Sequence, residues 1–170
     1  MVLNTHQQAL GRLTNLEWLS LYRCDLDYPL NYLSPLTKLT YLNLGENGML
    51  GRDGLEALSG LVRLETLLLN GCQNIPSQSL SHITGLTEMR VLDLSRCSLL
   101  SGGLAFLAQM KQLTDLDLSF VGMSDDSMST ISLFNQLTRL SLWSANIATG
   151  LDYLRDCPLL QVLDLTNCYS

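Results

Sequence analysis

Basic residues are scarce in this sequence: ten Lys and Arg stand against 16 Asp and Glu in 170 residues, a formal net charge of −6. Nucleic-acid binding draws on a Lys/Arg-rich face, so no nucleic-acid partner is expected and a protein with a basic patch is the easier one. No apolar run approaches the roughly 18 residues that cross a bilayer, and no basic stretch followed by a hydrophobic block opens the chain. Neither membrane attachment nor a secretory leader is expected. Histidine is limited to His6 and His82, and H-E-x-x-H, G-x-S-x-G and EF-hand spacings are all missing. The five cysteines are odd in number, form no C-x-x-C and lie far from either histidine, so neither a metal nor another cofactor is expected. Reduced thiols in a cytoplasmic setting follow as the default. Gly48, Gly51 and Gly54 share a loop, but their spacing fits no phosphate-binding fingerprint, and turn chemistry accounts for them.

What the sequence does contain is periodicity. With 46% hydrophobic residues it can fill a core, and one frame, L-x-x-L-x-L-x-x-C/N, recurs seven times. Leu16, Leu19, Leu21 and Cys24 set the pattern. Leu39, Leu42, Leu44 and Asn47 repeat it, as do Leu64, Leu67, Leu69 and Cys72. Met89 then leads Leu92, Leu94 and Cys97; Leu113, Leu116 and Leu118 precede Val121; Leu137, Leu140 and Leu142 precede Ala145; and Leu160, Leu163 and Leu165 precede Cys168. From Leu19 to Leu163 the middle leucines advance by 23, 25, 25, 24, 24 and 23 residues. A [G/S]-[L/M]-x-x-[L/I] element sits between the frames, as in Gly54-Leu55 to Leu58 and Ser127-Met128 to Ile131.

These frames resemble the leucine-rich repeat family over all but the first dozen residues, and the cysteine slots are most similar to its cysteine-containing subclass. The resemblance implies an α/β fold: a right-handed horseshoe solenoid with a parallel concave sheet of about seven strands and short helices on the convex face. The residues say the same independently. In x-L-x-L-x the leucines alternate with period two, so each pair faces inward and the x residues face out. Seven strands about 4.8 Å apart give a sheet about 29 Å wide. A single domain over 1–170 is expected, with 1–12 as an N-terminal half-repeat whose helix (4–12) turns Ala9, Leu10 and Leu13 inward, and with an uncapped C-terminal end.

Candidate sites follow from the frame. Cys24, Asn47, Cys72, Cys97 and Cys168 share the slot where each strand turns away, so they are expected to form a structural ladder donating to backbone carbonyls. Val121 and Ala145 cannot donate, so their repeats need a tighter turn or water. A Cys72–Cys97 bridge is the alternative. On the concave face the exposed columns bring Trp18, Tyr22, Tyr41 and Trp143 to either side of Asp93, Asp115 and Asp117, with Arg139 next to them. Exposed Trp and Tyr on a rigid surface are the types enriched at binding hot spots, and the acidic column directs attention to Lys or Arg on a partner. Catalysis is not expected, since nothing visible in the sequence shifts a carboxylate toward general acid or base work. The expected function is a protein-interaction module, an adaptor or substrate-recognition part. A regulator that docks on an enzyme or GTPase, and a self-assembling subunit that dimerises through its open C-terminal end, are the alternatives.

Overall fold

The computed structural model describes residues 7–26, 29–51, 53–97, 103–147 and 149–168. Among them, seven strands form one parallel sheet in chain order: β1 (Trp18–Ser20), β2 (Tyr41–Asn43), β3 (Thr66–Leu68), β4 (Val91–Asp93), β5 (Asp115–Asp117), β6 (Arg139–Ser141) and β7 (Val162–Asp164). The register follows the repeat frame without a slip, Leu19 pairing with Leu42, then Leu67, Leu92, Leu116, Leu140 and Leu163. A one-residue shift would turn every inward leucine to solvent, so the apolar pattern fixes the register.

The crossovers are tighter than regular helices. Helix α1 spans Gln7–Leu10 and α2 spans Asp125–Ile131, while 3₁₀ turns cover Asn31–Leu33, Glu56–Leu58, Ser77–Ile83, Leu104–Leu107 and Leu151–Asp156. With about 24 residues per repeat, little chain remains after the strand and its two turns, and 3₁₀ geometry covers more length per residue. Repeat five forms a true α-helix because Ser124 caps it, its hydroxyl accepting the Ser127 N–H. The inward members of the connecting element, Leu55, Leu58, Leu80, Ile83, Leu104, Leu107, Met128 and Ile131, close the core from the convex side, all buried. At about 1.5–3 kcal/mol per buried aliphatic side chain, this stacking between repeats is the main source of stability.

The two ends differ from the middle. Of the three residues expected to turn inward at the N-terminal end, Leu10 packs on the core, but Ala9 is exposed and Leu13 is 52% exposed. The reason is local: α1 is four residues long, and the chain bends at Gly11, where a Cβ would meet the Tyr32 carbonyl at 2.9 Å. Residues 4–6 of the expected helix, with His6, lie outside the described residues. At the other end Leu163 is 41% exposed, against 0% for its equivalents Leu42, Leu67 and Leu116.

Each strand ends in the same turn. The residue just before the Cys/Asn slot has positive φ in all seven repeats: Arg23, Glu46, Gly71, Arg96, Phe120, Ser144 and Asn167, between 52° and 74°. This conformation lets the chain close a four-residue turn, as in Cys72 N–H to the Leu69 carbonyl at 3.1 Å. It also keeps the ladder going, since the Gly71 N–H reaches the Ser95 carbonyl and the Arg96 N–H reaches Ser119, each at 2.8 Å.

The slot that follows carries the side-chain ladder. Cys72 Sγ donates to the Leu44 carbonyl of the preceding repeat at 3.2 Å, Cys97 to Leu69 at 3.1 Å and Cys168 to Leu142 at 2.9 Å. Cys24 instead turns to Tyr22 in its own repeat. Where Val121 and Ala145 stand, the carbonyls of Leu94 and Leu118 keep the backbone bonds from Cys97 and Val121 that the common turn provides, without the added side-chain donor that Leu44 and Leu69 receive.

All five thiols are free, and Cys72 and Cys97 are used as donors rather than bridged. Burial pushes the Cys72 thiol up to about 11 and the Cys97 thiol up to about 12. The thiolate is the reactive form, so alkylation of the folded protein at neutral pH should leave Cys72 and Cys97 unmodified, while urea should expose five titratable thiols. Native-state labelling of Cys97 at the rate of a free thiol, or fewer than five thiols after denaturation, would contradict this ladder.

Candidate functional site

The exposed face of the sheet is made of columns, one residue from each strand. The first runs Trp18, Tyr41, Thr66, Val91, Asp115, Arg139, Val162, and the second runs Ser20, Asn43, Leu68, Asp93, Asp117, Ser141, Asp164. Adjacent members sit one strand spacing apart, close enough for side chains to touch.

At the β1 end Trp18 lies flat on Tyr41, ring centroids 5.0 Å apart and planes 9° from parallel. Tyr41 is half-buried beneath it, while Trp18 keeps 60% of its surface exposed. Stacking of this kind contributes about 0.5–1.5 kcal/mol beyond area burial, enough to hold the indole in one orientation on a rigid strand. Tyr22, also exposed, stands at the turn end of β1.

The acidic residues occupy the middle, and they are less free than a solvated patch. In the second column each carboxylate turns back onto its own chain. Asp93 Oδ1 accepts the Ser95 N–H at 2.9 Å, Asp117 Oδ1 accepts the Ser119 N–H at 2.8 Å, and Asp164 Oδ1 accepts the Thr166 N–H at 2.9 Å. Asn43 does the same for Gly45. The L-D-L-S string is thus a turn that satisfies a backbone donor left over where the strand ends.

Burial raises the Asp93 carboxyl above its ordinary value; its bonds from Ser95 oppose that rise, and the Asp117 and Asp115 carboxylates add to it. Asp115 is also raised by burial, against the pull of Arg139, whose Nε lies 3.1 Å from Asp115 Oδ2. Asp164 is held below the usual carboxylate range by its hydrogen bonds from Thr166.

Trp143, placed by sequence with the other aromatics, joins a different group. It meets the edge of Phe120 at 4.9 Å and 65°, and the Arg96 guanidinium lies over the other ring at 4.4 Å from the Phe120 centroid. Phe120 and Arg96 escaped the sequence reading because their slot counts as turn, beyond the alternating x positions. The left-handed backbone brings those side chains to the rim of the same face. The signal was present: Phe120 is the large apolar residue in a slot that otherwise holds Gly, Asn, Ser, Arg or Glu.

Among the described residues no group of three or more His, Cys, Asp or Glu side chains is placed to hold a metal ion, and no helix is long and apolar enough to cross a membrane. A cavity of about 580 Å³, open to solvent, lies away from the sheet face between α1 and the Asn31–Leu33 turn, lined by Gln8, Arg12, Asn31 and Tyr32.

A parallel concave sheet with one strand per repeat, leucines inside and Cys or Asn at five of the seven turns defines a leucine-rich repeat solenoid. Comparison with solved structures agrees. An internalin (inlF) from Listeria monocytogenes is similar over 90% of this chain with a TM-score of 0.72 and 28% sequence identity, and an internalin C2 (inlC2) from the same species over 93% with a TM-score of 0.69 and 24% identity. The chain spans 42% of the length of the first and 68% of the second; the second likeness is one of fold alone. No protein-family model and no curated protein matches the sequence.

Proposed function

We propose that this chain is a protein-interaction module, an adaptor or substrate-recognition part that binds its partner on the concave face. The observation that carries this reading is the Trp18–Tyr41 stack: a 60% exposed indole held flat on a rigid sheet is an anchor with little left to lose in conformational entropy on binding. Beside it the acidic middle of Asp93, Asp115 and Asp117 favours a partner that presents Lys or Arg. The internalin likeness supports the scaffold for such a surface. We also assign the repeats to the cysteine-containing class, on the thiols that stand at four of the seven ladder slots.

The test is retention of a partner from a matching cell extract by the wild type and by a Trp18→Ala, Tyr41→Ala, Asp117→Asn variant. Asn is chosen because Asn43 already fills the equivalent slot and keeps the turn bond, so the variant should fold alike. The wild type should retain a partner whose binding weakens with added salt, and the variant should lose at least about tenfold in affinity, the scale of one or two hot-spot side chains. Equal retention by both would remove the site from this face.

A further inference from the structure

Resting on the concave-face reading, we infer that the surface has a second contact arm, Arg96, Phe120 and Trp143, and that the partner segment seats a basic side chain on Asp117 and lays an adjacent apolar side chain on Phe120 and Trp143. Three observations converge on it. Phe120 stands at φ 62°, in a slot where Gly71 and Asn167 meet the same backbone requirement at less steric cost. Its ring nevertheless keeps 37% of its surface in solvent, and Trp143 keeps 38%. No other repeat puts an aromatic ring in this slot, and here it stands against Trp143 with both side chains more than a third exposed, a patch of apolar surface open to a partner.

The arm is joined to the acidic column through hydrogen bonds. Ser119, next to Phe120, gives both its N–H and its hydroxyl proton to Asp117 Oδ1. Its oxygen then accepts from Ser141 at 2.8 Å, since its own proton is used. Asp117 is thereby fixed with Oδ1 turned to the chain and Oδ2 turned away from those donors.

Charge selects the occupant. Asp115 is matched by Arg139 and Glu65 by Arg90, whereas Asp93 and Asp117 make no ion pair among the described residues. The uncompensated charge on β4 and β5 is negative, and its complement is a cation. On the rim side Arg96 covers one part of Phe120 and repels a second cation, which leaves the exposed faces of Phe120 and Trp143 to an apolar neighbour of the basic residue.

A library of random short peptides displayed on phage and selected on the immobilised protein tests this, with survivors measured against Phe120→Gly, Phe120→Tyr, and Trp18→Ala with Tyr41→Ala. Survivors should be enriched in Lys or Arg beside an apolar residue. Phe120→Gly should weaken them by about tenfold or more while melting within a few degrees of wild type, because relieved strain offsets the lost ring contacts. Phe120→Tyr should bind like wild type. Survivors that depend on Trp18 and Tyr41 but not on Phe120 overturn the second arm and leave the concave-face reading standing. Survivors indifferent to all the variants, or no survivors, remove both. A large loss of melting temperature in Phe120→Gly overturns the arm by making the ring a structural prop.

Discussion

Leu92→Asp should leave little soluble, folded protein. Leu92 is the central inward residue of β4, 1% exposed, and pairs with Leu67 and Leu116 in the adjacent strands. Removing a buried leucine side chain costs about 2–5 kcal/mol, and the carboxylate that replaces it has no donor or cation in a core of leucines, adding several more. Domains of this size are stable by about 5–15 kcal/mol in total, so the sum consumes most or all of the margin. The measurement is soluble yield followed by thermal melting, with Leu92→Ala as control. The alanine variant should fold and melt lower by about 3 kcal/mol of stability. An aspartate variant that expresses and melts normally would show that Leu92 does not face the core.

Asn47→Ala should be the most damaging change at a polar residue. Asn47 is 1% exposed and joins two repeats. Its Nδ2 donates to the carbonyls of Leu21, Leu44 and Gly45 at 2.9, 2.7 and 3.2 Å, and its Oδ1 accepts the N–H groups of Cys24 and Leu26 at 3.0 and 3.1 Å. The first-repeat loop is shaped around it, since Asp25, between those two donors, is itself left-handed at φ 50°. Alanine strands the buried Leu26 N–H and leaves the part-buried Cys24 N–H without its partner, while the Leu21 and Leu44 carbonyls lose their side-chain donor, at about 1–3 kcal/mol for each unsatisfied buried group. A loss of about 4 kcal/mol is expected by urea titration. Asn47→Cys should lose less, because Cys72 and Cys97 show that a thiol in this slot still reaches the preceding carbonyl. Equal losses for the two variants would mean that the donated bond to Leu21 contributes nothing.

The same contrast shows which parts of the molecule were legible in the sequence. The leucines announce themselves because a 24-residue period and a two-residue alternation act on every copy at once, and a register error at any strand would expose apolar surface. The ladder slot was legible for the same reason: Cys and Asn are chemically related there as donors. Asp93 and Asp117 were placed on the right face but not in the right state. Their attachment to the N–H two residues on depends on the turn, which the pattern of apolar residues does not describe. Phe120 and Arg96 were missed because no pattern rule assigns a face to a left-handed residue. Leu13 was expected inside on helical periodicity, and the short α1 and the bend at Gly11 leave it in solvent. Collective features were readable one residue type at a time, whereas features that hang on a single φ were not.

The Trp18–Tyr41 pair stands on β1 and β2 and the Phe120–Trp143 pair in the turns that follow β5 and β6, four strand spacings or about 19 Å apart across the sheet. A stack of repeats is an elastic arc, and small rotations between neighbours accumulate along it, so the gap between the pairs is the coordinate that bending changes most directly. A partner that grips both pairs holds that arc at one radius. Its affinity is then a reading of curvature, and a change in any repeat between the two grips alters recognition without touching a contact residue.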